Sequence, residues 1–547
     1  MQENAFYQLS TFTALALLVG FYGLTFLMSL TISRKNENVD GYMVSSGSLG
    51  FGISAASMIA TWIWAASFYA SATSGFTYGL SGPIHYGLWG ALMILFIYPF
   101  GRRFRKLAPD AHTLAELLHA RHGTSSQMLL AVSNLIGSTI SLMVNFTAAG
   151  ALIAILTPLE FEHGVVIAGI GVLSYTLWSG FRASVMTDFA QLAAMMGAAI
   201  IIIPLIFFNA GGFELIEQGM QRMTPEQTNF FSKTAILEQG LPYFIAVLAY
   251  AIGNQTIAQR LFAVREDLIK PTFLTATLGY GAVVIGLGML GLLAAMVGLV
   301  PANGDMNNII PQMASSYLPP LGIALFFILV IGSLSSTADS DLSAMSSIVM
   351  ADIYGKHIAR GKPNPRTMLL LGRLTMVVST ILGMLLANLK LDILVMLVLV
   401  GALWGSIVFP VIVSCYWNRV SNHAFTWSVI GALIAFVSAR FEWLPLIGTT
   451  GTLLEILAII GAGVVTGLMT FAFFSRNIAI AIGMITIVAA APFALGELRH
   501  YQILLASLLA YGVSAVLCTL LSLLCKERFD FNLIAKRVHS YQQATAS

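Results

Sequence analysis

Long apolar runs separated by short polar stretches fill this chain from end to end. Fifteen can be drawn: residues 9–32, 50–74, 82–101, 126–157, 164–180, 185–209, 240–259, 271–300, 318–350, 368–389, 391–416, 424–440, 452–474, 477–495 and 501–524. A helix of about 20 residues crosses roughly 30 Å of hydrocarbon, and these runs are of that size. Membrane β-strands would instead alternate over about 10 residues. The pattern predicts an all-α polytopic membrane protein.

Run 318–350 departs from the rest. Its second half, Ile331 to Ile348, holds the hydroxyls of Ser333, Ser335, Ser336, Thr337, Ser340, Ser343, Ser346 and Ser347, and the carboxylates of Asp339 and Asp341. A carboxylate at mid-bilayer costs roughly 2.5 to 3.5 kcal/mol, and such groups face a bundle interior or an ion or solute path. Small residues for close helix packing would account for the serines but not for the aspartates. Two more runs predict interrupted helices. Run 50–74 gathers small, hydroxyl and aromatic residues around Trp62-Ile-Trp64, and run 240–259 carries Gly253-Asn-Gln255. Unwound backbone at membrane depth has to line a cavity or be buried in protein. Breaks at matching positions of two repeats mark a transporter's central site. The breaks fall in the second and seventh runs, which predicts two five-helix halves.

Composition supports this. Of 547 residues 57% are hydrophobic and 9% charged, against about 25% charged in soluble domains. With the N-terminus outside and the C-terminus cytoplasmic, all but Arg222, Lys233, Lys390, Arg440 and Arg499 of the 27 basic residues fall on the cytoplasmic side, as the positive-inside rule requires. Arg34 and Lys35 of the first loop belong to that cytoplasmic set. An integral plasma (inner) membrane location is the expectation. The first run is too long for a secretory signal, and no basic residue precedes it. Cys415, Cys518 and Cys525 are expected to be free thiols. No basic arm points to nucleic acid, no phosphate-binding glycine loop points to ATP, and no enzyme constellation or obligate protein partner emerges. Thr113–His122 is expected to form a short interfacial helix with His112, His119 and His122 on a solvated face. His85 is expected to be a satisfied rim residue, and the tail after Lys526 to be polar and in part disordered.

A small hard cation such as sodium needs several oxygen ligands. The hydroxyls of Ser336 and Thr337, with carbonyls freed at a helix break, could supply them, although back-bonding within the helix is the ordinary use of such hydroxyls. A small polar solute needs a few polar groups among aromatic walls. Trp62, Trp64, Phe68, Tyr69, Tyr250, Asn254, Gln255 and Trp404 are the candidates.

Several motifs resemble the sodium:solute symporter family over about residues 40 to 420. They are Asp40-Gly-Tyr-Met with Gly47-Ser-Leu-Gly50; Tyr175-Thr-Leu-Trp-Ser-Gly-Phe-Arg182 with Thr187-Asp-Phe-Ala-Gln191; Gln259-Arg-Leu-Phe-Ala-Val-Arg265; and Ser335-Ser-Thr337 before Ala351-Asp-Ile-Tyr354. The resemblance implies a LeuT-like five-plus-five inverted repeat in one transmembrane domain. Residues 9–32 would be an extra N-terminal helix, 50–209 and 240–416 the two repeats, and 424–525 about four accessory helices. It implies Na+ as coupling ion, held by the Ser336 and Thr337 hydroxyls and the Ser333, Ala60 and Ile63 carbonyls. Asp188 would line the ion exit path. Proline-carrying members have an acidic residue where this chain has Trp62, which argues against a second sodium ligand there.

Trp62-Ile-Trp-Ala-Ala, Tyr78-Gly-Leu-Ser-Gly-Pro83, Ala108-Pro-Asp-Ala-His-Thr113 and the acidic Asp341 resemble the urea active transporter branch. This implies urea as solute, with Trp62, Trp64, Tyr250, Asn254, Gln255, Asp341 and Trp404 around it. Proton coupling, a polyamine or other organic solute, and a symporter-like membrane sensor are the alternatives. A sensor would carry a cytoplasmic output domain, which the short tail is not expected to supply.

Overall fold

The computed structural model describes residues 7–32, 38–360, 362–444 and 447–538. Arg34, Lys35 and the tail beyond Val538 lie outside the described residues. The chain runs through α1 (Thr11–Leu30), α2 (Val39–Val44), α3 (Phe51–Trp62), α4 (Ala65–Tyr78), α5 (Ser81–Leu107), α6 (Leu114–His122), α7 (Thr124–Leu156), α8 (Phe161–Ser179), α9 (Phe181–Asn209), α10 (Gly212–Arg222) and α11 (Lys233–Ala235). It continues through α12 (Leu241–Gly253), α13 (Gln255–Ala263), α14 (Ile269–Val297), α15 (Ile309–Tyr317), α16 (Pro320–Ser347) and α17 (Pro365–Ala387). It ends with α18 (Ile393–Tyr416), α19 (Asn422–Arg440), α20 (Gly448–Phe473), α21 (Arg476–Ala494), α22 (Gln502–Leu524) and α23 (Asn532–Arg537).

Among the described residues, thirteen helices are long and apolar enough to cross a membrane, and the pair Phe51–Trp62 and Ser67–Tyr78, bent by 51°, makes a fourteenth crossing. The remaining expected run, 391–416, coincides with α18, whose described apolar part is Leu403–Tyr416. Every apolar run therefore has its helix, and the polar link Asn388–Asp392 separates α17 from α18 as expected. The chain is an integral multi-pass membrane protein.

Burial orders the bundle. α7 and α16 are sheathed by other helices, whereas α1, α17 and α21 expose most of their apolar surface. In water such exposure would mark a docking surface; in a bilayer it is the lipid face. The two broken helices are tied at one end of the bundle, where Leu49, just before α3, pairs with Val264, just after α13. Leu49 N–H donates to Ala263 O at 3.0 Å, and Arg265 N–H to Leu49 O at 3.2 Å.

The α6 end of the bundle corrects one expectation. Thr113 caps α6, its hydroxyl accepting from Glu116 N–H at 3.0 Å, so the interfacial helix forms. His112 and His122 are not a solvated face, because α2 and α18 pack against them. His112 is 2% exposed, with Nε2 2.7 Å from Asp40 Oδ1 and Nδ1 3.0 Å from Glu116 Oε2. Glu116 in turn faces Lys356 at 4.0 Å. His122 Nε2 bonds Ser414 Oγ at 2.7 Å. The described part of the segment after Lys526, to Val538, packs against α6. Arg121 lies 4.3 Å over the Phe529 ring, and Arg537 donates to Ala120 O at 3.0 Å. The aromatic pair Phe529 and Phe531 gives this stretch an apolar anchor that overall polarity conceals. Cys415, Cys518 and Cys525 are free.

Two carboxylates around one buried imidazole hold its pKa up, to about 9, against the desolvation that would lower it. Raised in the folded state above its ordinary 6.5, His112 adds stability that is complete below about pH 6.5 and is lost as pH rises through about 9. The stability of the purified protein should fall between pH 7 and 10, by about 3 kcal/mol at most, and its melting temperature should fall with it. His112→Phe should flatten that slope; an unchanged slope would place the titration elsewhere.

Candidate functional site

α16 is the organising element, because its polar residues fall on three faces. Ser333, Ser336, Thr337 and Ser340 are spaced i, i+3, i+4 and i+7, which aligns them on one side of a helix. Ser335 and Asp339 share a second side, and Asp341 lies on a third. Every one of these residues is buried.

The first side meets the break in the first interrupted helix. Helical bonding in α3 ends with Ile63 N–H to Ile59 O. Trp64 is extended, and Ala65 N–H goes to Asn145 Oδ1 at 3.2 Å, so the carbonyls of Ala60, Thr61 and Ile63 leave the helical ladder. α16 supplies partners in trans: the Ser333 hydroxyl donates to Ile63 O, and the Thr337 hydroxyl to Thr61 O at 2.6 Å. The Ser67 hydroxyl serves Trp62 O at 2.9 Å. Thus Ile63, Ser333 and Thr337 meet in one oxygen-rich junction, which Thr61 joins through its carbonyl and its side chain, 3.0 Å from Ser340 Oγ; the Ser336 hydroxyl bonds Asp188, and Ala60 is buried one residue before Thr61.

Asp188 of α9 stands beside it. Its carboxylate accepts from the Ser336 hydroxyl, from Ser57 Oγ at 2.6 Å and from Arg260 Nη2 at 3.0 Å. Arg260, on α13, also donates to Ser340 Oγ at 2.7 Å and Ser57 Oγ at 3.0 Å. The pair thereby joins both interrupted helices to α9 and α16. Asp339 faces the other way, accepting from Tyr175 OH at 2.7 Å and Ser184 Oγ at 2.6 Å. The sequence reading left out Arg260, Ser57, Ser184 and Tyr175 as site residues. The available signal was an arginine at the end of an apolar run, one turn beyond a break.

The third side of α16 opens on a niche lined by Trp62, Trp64, Tyr250, Asn254, Trp404 and Asp341, with Thr61 and Thr337 at its edge. It leaves about 20 Å³ open to water, and about one water needs 10 to 15 Å³ on that measure. The niche is closed around a solvent-sized space. The second break forms its wall: Asn254 is extended, caps α13 through Thr256 N–H at 2.8 Å, and leaves Gln255 N–H to Asn134 Oδ1 at 2.6 Å. Trp404 donates to Ser133 O at 3.3 Å and stands edge-on to Tyr250 at 5.2 Å. It wedges over Gly137 and Gly253, where an added Cβ would come within 2.2 and 2.5 Å of its ring. Among the expected solute residues, Phe68, Tyr69 and Gln255 lie outside this lining, and Gln255 is turned toward α6. Its side chain accepts from Leu114 N–H at 3.3 Å and donates to His112 O at 3.0 Å, because a helix N-terminal residue beside Asn254 projects toward α6. Phe68 and Tyr69 are buried outside the lining. His85 Nδ1 accepts from Trp89 Nε1 at 3.2 Å, while its Nε2 has no partner, so it is not the satisfied residue expected.

The sequence profile of the sodium:solute symporter family matches residues 42–431. The chain belongs to the sodium:solute symporter family. Relatives of this family member include the sodium/pantothenate symporter of Escherichia coli, 25% identical over 78% of this chain and 90% of that protein. A probable urea active transporter of Schizosaccharomyces pombe is 22% identical over 78% of this chain and 68% of that protein. The high-affinity proline transporter of Bacillus subtilis is 24% identical over 75% and 88%. Among solved structures, a substrate-bound, outward-open Na+-coupled sialic acid symporter superposes with a TM-score of 0.68 at 18% identity, covering 88% of this chain and 98% of that one. The fold is the LeuT-like one.

Asp188 and Arg260 form an enclosed ion pair in this symporter-family chain, with side chains 0% and 3% exposed. Removing one member of such a pair strands the other, at a cost of about 3 to 5 kcal/mol. Arg260→Met should lower thermal stability by about that amount, and adding Asp188→Asn should restore part of it in a double-mutant cycle. Additive losses would show that the two do not act as a pair.

Proposed function

We propose that this family member is a secondary active symporter that imports a small polar solute, urea foremost, driven by inward sodium movement through alternating access. Sodium is taken by the Ser336 and Thr337 hydroxyls with the carbonyls of Ala60, Ile63 and Ser333, and leaves past Asp188. The solute is taken by Trp62, Trp64, Tyr250, Asn254, Asp341 and Trp404; Gln255 serves the α6 end instead. Repeats 50–209 and 240–416 rock against each other, with the N-terminus outside, the C-terminus cytoplasmic and Arg260 toward the inner side.

The observation that carries the reading is that Thr61 and Thr337 belong to both places: they edge the niche and also join α16 to the carbonyls of the first break. An ion that draws those hydroxyls and carbonyls onto itself reshapes the solute niche, and that shared wall is the means of coupling. Urea is favoured by the niche's unpartnered atoms, two donors at Trp62 Nε1 and Trp64 Nε1 and one acceptor at Asp341 Oδ2. Urea offers a carbonyl with two lone pairs and N–H donors.

Uptake of labelled urea into proteoliposomes tests this. An inward sodium gradient should drive accumulation, and Ser336→Ala with Thr337→Ala should abolish the sodium dependence. Equal uptake on a proton or potassium gradient would reject sodium coupling, and uptake indifferent to every gradient would make the protein a passive channel.

A further inference from the structure

Asp341 brings a buried acidic group to the wall of this niche. The side chain is 2% exposed. Ser141 of α7 lines the niche with it, and Oδ2 has no hydrogen-bond partner. Arg260, a cation whose field reaches it, is bonded to Asp188 and Ser340. Among the described residues, no basic side chain lines the niche. Its walls include, beside Asn254 and apolar side chains, the rings of Trp62, Trp64, Tyr250 and Trp404, faces that attract cations. Pantothenate, proline and sialic acid, named for relatives and a structural neighbour of this chain, all carry a carboxylate. Such a group beside Asp341 would be a like charge at low dielectric, with aromatic faces in place of a counter-ion.

We propose that Asp341 acts as a charge filter: the niche takes compact solutes that present N–H donors on a neutral or cationic head, of the urea or amidinium shape, and rejects solutes bearing a carboxylate. The proposal rests on the solute reading of this niche but not on sodium coupling. An unpaired buried acceptor penalises any solute lacking a donor for it, and a planar N–H edge meets a carboxylate with two parallel bonds.

The test is equilibrium binding to the purified full chain, read by quenching of indole fluorescence, with no ion gradient. Urea and guanidinium at millimolar concentration are the neutral and cationic probes; proline and pantothenate are the carboxylate probes. Wild type should bind urea and guanidinium and show at least about tenfold weaker binding of both carboxylates, each tenfold being about 1.4 kcal/mol. Asp341→Asn should weaken guanidinium by about tenfold or more and urea by less. Binding of proline or pantothenate as tight as urea in wild type, which needs no variant to fold, would overturn the filter. So would unchanged guanidinium affinity in Asp341→Asn, or no binding of either N–H probe. Sodium-driven uptake of a carboxylate solute would sink the filter and leave symport standing; the expected binding without sodium-driven uptake would do the reverse.

Discussion

Hydrocarbon offers no hydrogen bonds, so each backbone group released where a membrane helix breaks has to be met by protein. That constraint governs the centre of this molecule. α3 stops at Trp62, and its freed carbonyls are met by hydroxyls projecting from α16. The second interruption is met by side-chain amides, Asn134 for Gln255 N–H and Asn254 for Thr256 N–H. A helix with leucines at 333 and 337 would leave the Ile63 and Thr61 carbonyls without these partners. The serine-rich sequence of α16 and the interruption of α3 are therefore one feature, and neither is stable without the other.

This explains what was legible in the amino-acid pattern. Hydroxyls and aspartates inside an apolar run have few uses other than meeting polar groups across a helix interface, so the centre could be placed from α16 alone. Gly253-Asn254 announced the second break for a local reason, since glycine and asparagine both weaken a helix interior. Trp62-Ile-Trp64 announced the first less directly, because its interruption depends on Asn145, 80 positions from Ala65, as well as on nearby Ser67. Arg260 escaped as a site residue for a similar reason. At the end of an apolar run an arginine reads as an interfacial anchor, and only the tertiary fold brings Asp188, 72 positions away, against it. His112 looked solvated because its segment is basic; what buries it is Asp40, also 72 positions away.

Glycine at 137 and 253 shows a further layer that one sequence cannot display. Trp404 reaches Tyr250 and the niche because both glycines lack the atom that would occupy its place. A glycine in a membrane helix has many uses, and its ring-packing use appears only when the third helix, α18, is in position. The aromatic walls of the niche depend on residues with no chemistry of their own.

The shared wall also constrains how any coupling would work. Suppose a cation binds the freed carbonyls and the α16 hydroxyls. Ser333 then gives up its bond to Ile63 O, because that oxygen turns to the ion, and Thr337 gives up its bond to Thr61 O, because its hydroxyl does. The ion's hold on the carbonyls would replace the hydroxyls' hold, and Thr61 and Thr337 would shift at the edge of the niche. By reciprocity of binding free energies, a solute that favours the shifted wall must tighten the ion by the same factor. One elementary charge falling through 100 mV releases about 2.3 kcal/mol, so a coupling of even 1 to 3 kcal/mol between the two places is commensurate with the work available. The junction on α16 needs no long-range relay for this, since the two candidate sites are separated by the width of one threonine.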